Sequence, residues 1–219
     1  MEQRRHQCLV YKGDPVNQLP ALAAVLKQKL REDYRCLYLN SPSMVEGLRS
    51  HLSSLGVAVA NDITKGHLVL SSEPVVSADG VFDADSMLKK LEGAVTQALR
   101  DGYKGLFATG DMTWELGPLK DNYSLLVDYE WKLERLFRRQ YALSGICQYH
   151  VDTLPIGAMR QALRSHPAIF VNETLSRINQ YFTDALDLIR QAARDRALDN
   201  AIVDLCQVQD NQSQKKKPE

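Results

Sequence analysis

The chain has 219 residues, 44% hydrophobic and 25% charged, the balance of an ordinary globular protein, which excludes a largely disordered chain. Lys plus Arg and Asp plus Glu both number 27, so no net charge draws it to nucleic acid or to an anionic membrane. The length suits one well-buried core with room for a terminal extension.

The opening Met1-Glu2-Gln3-Arg4-Arg5-His6 leads straight into a strand pattern, without the apolar core of a signal peptide. No stretch approaches the about 20 apolar residues of a membrane span, so the expectation is a cytoplasmic protein. Cys8, Cys36, Cys147 and Cys206 lie in apolar or helical surroundings without C-x-x-C spacing, and are read as reduced, buried thiols.

Strands are predicted at residues 6–11, 36–40, 67–71, 105–109, 144–149 and 168–171, and helical patterns alternate with them. The helices show as apolar stripes at three-to-four spacing: Leu19, Leu22, Leu26 and Leu30; Val45, Leu48, Leu52 and Leu55; Leu88, Leu91, Val95 and Leu99; Leu126, Tyr129, Leu133 and Phe137. Ser43 with Glu46 reads as a capping box, Asp83 or Asp85 as a cap of the third stripe, and Gly56 and Gly102 as helix stops. This alternation predicts an α/β fold with a mostly parallel sheet covered by helices on both faces.

The domain is expected over residues 1–181, followed by a helix over 182–208 and a disordered tail over 209–219 that includes Lys215, Lys216 and Lys217. Phe182, Leu186, Ile189, Ala193, Ala197, Ala201 and Leu205 form a narrow stripe on that helix. It either packs on its own domain or joins two copies in a homodimer.

In an open parallel sheet, ligands bind beyond the carboxyl ends of the strands. The first such turn reads Tyr11-Lys12-Gly13-Asp14-Pro15-Val16-Asn17-Gln18 and lacks the glycines, Lys and Ser or Thr with which a P-loop cradles phosphate, while Asp14 would repel it. Asp111 follows the fourth strand, where many nucleotide hydrolases carry a metal-linked carboxylate, and Trp114 could wall an apolar ligand; the alternatives are a capping aspartate and a core tryptophan. His6-x-Cys8 and Cys147-x-x-His150 suggest zinc by composition. Parallel pairing of the two strands would send those histidines to opposite rims, so the chain is read without a metal site. His166-Pro167 stops a helix, with His166 placed to meet terminal carbonyls.

Taken in order, His6-Gln7-Cys8-Leu9-Val10-Tyr11, Cys36-Leu37-Tyr38-Leu39-Asn40, Thr109-Gly110-Asp111-Met112-Thr113-Trp114, Cys147-Gln148-Tyr149 and His166-Pro167 resemble the MEDS family of methanogen and methylotroph sensory domains. The resemblance implies a RecA-like sheet, a degenerate relative of the RecA and KaiC ATPases, that senses a small hydrocarbon-derived compound. It also implies output through a histidine kinase or transcriptional regulator, whereas here only one helix and a polar tail follow the domain. The expected function is therefore non-catalytic signalling, with no direct nucleic-acid or membrane partner and no cofactor identified. The expected ligand-binding residues are His6, Cys8, Tyr11, Asp14, Asp111, Trp114 and Tyr149. The rival readings are an ATPase or transferase with an unorthodox phosphate site and a scaffold that binds no ligand.

Overall fold

A computed structural model of the chain describes residues 5–73, 80–115 and 122–183. Their strands are β1 (His6–Tyr11), β2 (Arg35–Leu39), β3 (Leu68–Ser71), β4 (Leu106–Asp111), β5 (Leu143–His150), β6 (Ala168–Asn172) and β7 (Leu175–Ile178). Their helices are α1 (Leu19–Arg31), α2 (Pro42–Ser54), α3 (Val59–Thr64), α4 (Ala84–Arg100), α5 (Met112–Glu115), α6 (Asn122–Arg139) and α7 (Ile156–Ser165). The helix expected over 182–208 and the tail over 209–219 lie, beyond residue 183, outside the described residues.

The strands form one sheet in the order β3-β2-β4-β5-β1-β6-β7, parallel except for the β6–β7 pair. This is an α/β fold whose layout is consistent with a RecA-like arrangement. Side chains leave alternate faces of a strand, so the sheet has two cores. Leu9, Tyr11, Cys36, Tyr38, Phe107 and Ile146 pack against α1, α2 and α3. Cys8, Leu106, Leu143, Cys147 and Tyr149 pack against α4, α6 and α7. The central strands β4 and β5 are buried on both sides, which is why their sequences read as continuous apolar runs.

The punctuation is partly as expected. Asp83 caps α4 by accepting from the Ser86 N–H at 2.9 Å, and Gly56 and Gly102 end α2 and α4 at φ +80° and +87°. The Ser43–Glu46 capping box is corrected: α2 starts two residues earlier on Pro42, with Ser41 as its N-cap residue and no side-chain cap. Four short elements were not expected from the pattern: a 3-10 turn at Pro15–Gln18, α3, α5 and the antiparallel edge strand β7.

Candidate functional site

Along the sheet, β1 is followed by α1 on one face and its neighbour β5 by α7 on the other. The carboxyl ends of β1 and β5 therefore flank the crevice where an open α/β sheet takes its ligands. The Tyr11 hydroxyl donates to Asp111 Oδ2 at 2.6 Å, and the Tyr11 ring stacks on His150 with centroids 4.9 Å apart. Burial, with the neighbouring Asp111 charge adding to it, pushes the Tyr11 phenol well above its ordinary pKa. Nearby, Asn40 donates to the Tyr38 hydroxyl at 3.0 Å and Gln148 to Thr109 at 2.9 Å.

The turn after β1 is closed by the chain's own acids. The Gly13 N–H donates to Asp152 Oδ2 at 2.9 Å, and the Val16 N–H to Asp14 Oδ1 at 3.0 Å. His150 Nε2 lies 2.9 Å from the Gly13 carbonyl. A carboxylate thus holds a backbone donor that a phosphate-binding turn would offer to its ligand.

The opposite face carries a buried polar network. Glu130 and Glu134, four residues apart on α6, point at the sheet and are 0% and 2% exposed. Glu134 accepts from His6 Nδ1 at 2.8 Å through one oxygen and from Arg138 Nε at 2.8 Å through the other. Glu130 accepts from the Tyr149 hydroxyl and, at 3.2 Å, from Ser165. The His6 ring lies between Phe137 and His166, with centroids 4.1 and 3.9 Å away. His166 Nδ1 is 2.7 Å from the Ala162 carbonyl, closing the end of α7.

Burial sets the charge states in this network. It lowers His6 to about 3 and His166 well below the ordinary histidine value, so both rings are neutral. It raises Glu130 to about 7, against the pull of its bonds from Tyr149 and Ser165, and raises Cys8 to about 12 and Tyr149 well above its ordinary value. Cys8 and Cys147 are direct partners across β1 and β5, and neither is in a disulfide.

Next to this network lies a small apolar cavity of about 30 Å³ between the sheet and α4 and α6, walled by Met87, Leu91, Met112, Tyr129, Phe137 and Cys147. Its floor is β4, where Ala108 and Gly110 offer little side chain to the space below the helices.

Of the expected ligand residues, those on β1, β4 and β5 lie on three adjacent strands, but the sheet divides them. Tyr11 and Asp111 meet on the α1 side. His6, Cys8 and Tyr149 lie on the α6 side. Asp14 sits in the exposed turn capping its own helical turn, and the Trp114 side chain lies outside the described residues. His6 and His150 do stand at opposite strand ends, paired with Gly145 and Tyr11, while His166 arrives beside His6 from the end of α7. Glu130, Glu134, Ser165 and His166 had not been expected at a site. Two glutamates four residues apart within the apolar stripe of α6 were the available signal.

The fold is an α/β domain whose mostly parallel seven-stranded sheet carries a polar cluster on each face. The family profile described as MEDS, the methanogen/methylotroph, DcmR sensory domain, matches residues 5–167, and the chain belongs to that family. No curated protein matches the sequence. No helix among the described residues is long and apolar enough to cross a membrane.

Proposed function

We propose that the protein is a non-catalytic cytoplasmic sensory module that takes a small, hydrocarbon-derived molecule into the cavity beneath α4 and α6 and signals through a partner, a histidine kinase or a transcriptional regulator. The observation that carries this reading is the apolar cavity itself, whose lining includes Met87 and Met112. Methionine is unbranched and adaptable, so these two side chains can yield to a guest larger than the resting 30 Å³. His6, Cys8 and Tyr149 share the sheet face of Cys147, while Tyr11 and Asp111 tie β1 to β4 on the opposite face. The chain is then a relative of the RecA and KaiC ATPases that no longer serves a nucleotide. The Asp152 carboxylate on the Gly13 N–H supports that part of the reading.

Thermal-shift measurements with a panel of short halogenated and methylated compounds, and with MgATP, test the proposal, because a ligand of the native state alone raises its stability by mass action. At least one compound of the panel should raise Tm, MgATP should not, and Ala108→Val, which fills the floor of the cavity, should abolish the response. No shift with any compound, or an undiminished shift in Ala108→Val, sinks the cavity reading. Stabilisation by MgATP with phosphate release lost in Asp111→Ala would instead favour the enzyme.

A further inference from the structure

His6, Cys147 and His166 bring one ligand atom each to within 4.8 Å of the others, and all three residues are buried. Each imidazole is oriented from behind. His6 Nδ1 is spent on Glu134 at 2.8 Å and His166 Nδ1 on the Ala162 carbonyl at 2.7 Å. Since a carbonyl or an ionised carboxylate can only accept, both rings carry their proton on Nδ1 and present a bare Nε2 lone pair. His6 Nε2 faces Cys147 Sγ at 3.6 Å. His166 Nε2 is buried without a hydrogen-bond partner, which is costly for a polar atom and calls for an occupant.

We propose that His6 Nε2, His166 Nε2 and Cys147 Sγ form a zinc(II) site built into the sheet face beneath α6 and α7. Neutral imidazoles and a thiolate are the usual donors for this ion. With Zn–N of about 2.0 Å and Zn–S of about 2.3 Å, a tetrahedral centre sets its nitrogen and sulfur about 3.5 Å apart. The observed separation of His6 Nε2 from Cys147 Sγ, 3.6 Å, is close to this. Binding replaces the thiol proton, which leaves to solvent as the thiolate forms.

The surroundings complete the arrangement. A carboxylate behind the first histidine and a carbonyl behind the second are the outer partners that fix ring tautomer and orientation at metal centres. Glu130 Oε2 lies 3.7 Å from His166 Nε2, so two glutamates stand close enough to balance the cation. Three protein donors leave a fourth position free. This inference is independent of whether the neighbouring cavity takes a ligand. It also reverses the reading of the sequence as metal-free: the His6–Cys147 half was visible there, but the completing histidine is His166, not His150.

Because the site is enclosed, metal is expected to enter as the chain folds. The full chain, purified without chelator or refolded with Zn²⁺ and then desalted, should carry about one zinc per molecule by elemental analysis. Refolding with Co²⁺ should produce a near-ultraviolet thiolate-to-cobalt charge-transfer band and visible bands of tetrahedral intensity. Cys147→Ser should remove the charge-transfer band, and His166→Gln should reduce the zinc content severalfold, each in protein with native circular dichroism. The cobalt spectrum of the unaltered chain keeps the test decisive should a variant fail to fold. Folded wild-type protein with under about a tenth of an equivalent of zinc after both treatments, or wild-type stoichiometry in His166→Gln, would overturn the assignment.

Discussion

Glu130 sits on the sheet side of α6, fully buried, where the Tyr149 and Ser165 hydroxyls donate to it and offset part of its desolvation. Its acid form is favoured in the fold, raised from 4.5 to about 7. Between those values the folded chain keeps a proton that the unfolded chain has released, so this group makes stability fall as pH rises. His6 acts in the opposite sense: lowered from 6.5 to about 3, it leaves the unfolded chain with the extra proton across that window, and stability rises with pH. Glu130→Gln removes the first effect and retains the second. Urea unfolding of metal-free protein should therefore show stability climbing more steeply with pH in the variant than in the wild type between about pH 4.5 and 6.5, by up to roughly 1.4 kcal/mol per pH unit. Equal slopes would mean that Glu130 ionises normally. The sequence displayed only part of this network. Leu126, Tyr129, Leu133 and Phe137 marked the buried side of α6, and the same periodicity puts Glu130 and Glu134 on it. The meeting of His6 with His166, however, depends on β6 lying beside β1, which no local pattern encodes.

The strands were legible because burial on both faces makes them short apolar runs, and because the helical stripes between them are long enough to define a period. Strand bounds shifted by a residue or two, as hydrogen bonding continues past the last apolar side chain to Asp111 and His150. The edge strand β7 escaped notice since Leu175, Ser176, Arg177 and Ile178 pair on one side only and are largely exposed, leaving no core-facing alternation. Within β5, Gly145 looked unremarkable in sequence, yet an added Cβ there would stand 2.2 Å from the Ala108 carbonyl oxygen and 3.3 Å from Phe137. The missing side chain lets α6 bring Phe137 onto the strand, and that ring supports His6. Gly145→Ala should lower unfolding free energy by roughly 3 kcal/mol, the upper end of what overpacking costs. Gly93 in α4 has nothing within 4 Å of an added Cβ, so Gly93→Ala should stabilise by roughly 0.5–1 kcal/mol through helix propensity. A denaturant midpoint of Gly145→Ala that stays level or rises would refute the packing role assigned to Gly145, and one of Gly93→Ala that falls would refute the propensity gain.

At the scale of the whole molecule, a sensor needs a surface that changes partners or packing when its ligand arrives. The far edge of the sheet offers an apolar one: Leu175, Ile178 and Tyr181 are 52%, 61% and 58% exposed, at the point where the domain gives way to the segment from Phe182 onward. In sequence that segment carries the narrow stripe of Phe182, Leu186, Ile189, Ala193, Ala197, Ala201 and Leu205. Alanine permits close helix approach but buries little area, and at ~25 cal/mol per Å² such a stripe gives only a weak dimer unaided. A stable interface needs about 800 Å² from each copy, more than such a stripe supplies, and the exposed β7 residues are the apolar surface available to add to it. The prediction is a homodimer that requires both parts, in which a shift of the sheet is read out as a change in helix packing. Light scattering on the full chain in the tens of micromolar should give twice the monomer mass, and a chain ending after Tyr181, like Ile178→Lys in the full chain, should give the monomer mass. A monomeric full chain, or a shortened chain that keeps the dimer, shows that the segment after Phe182 does not join two copies.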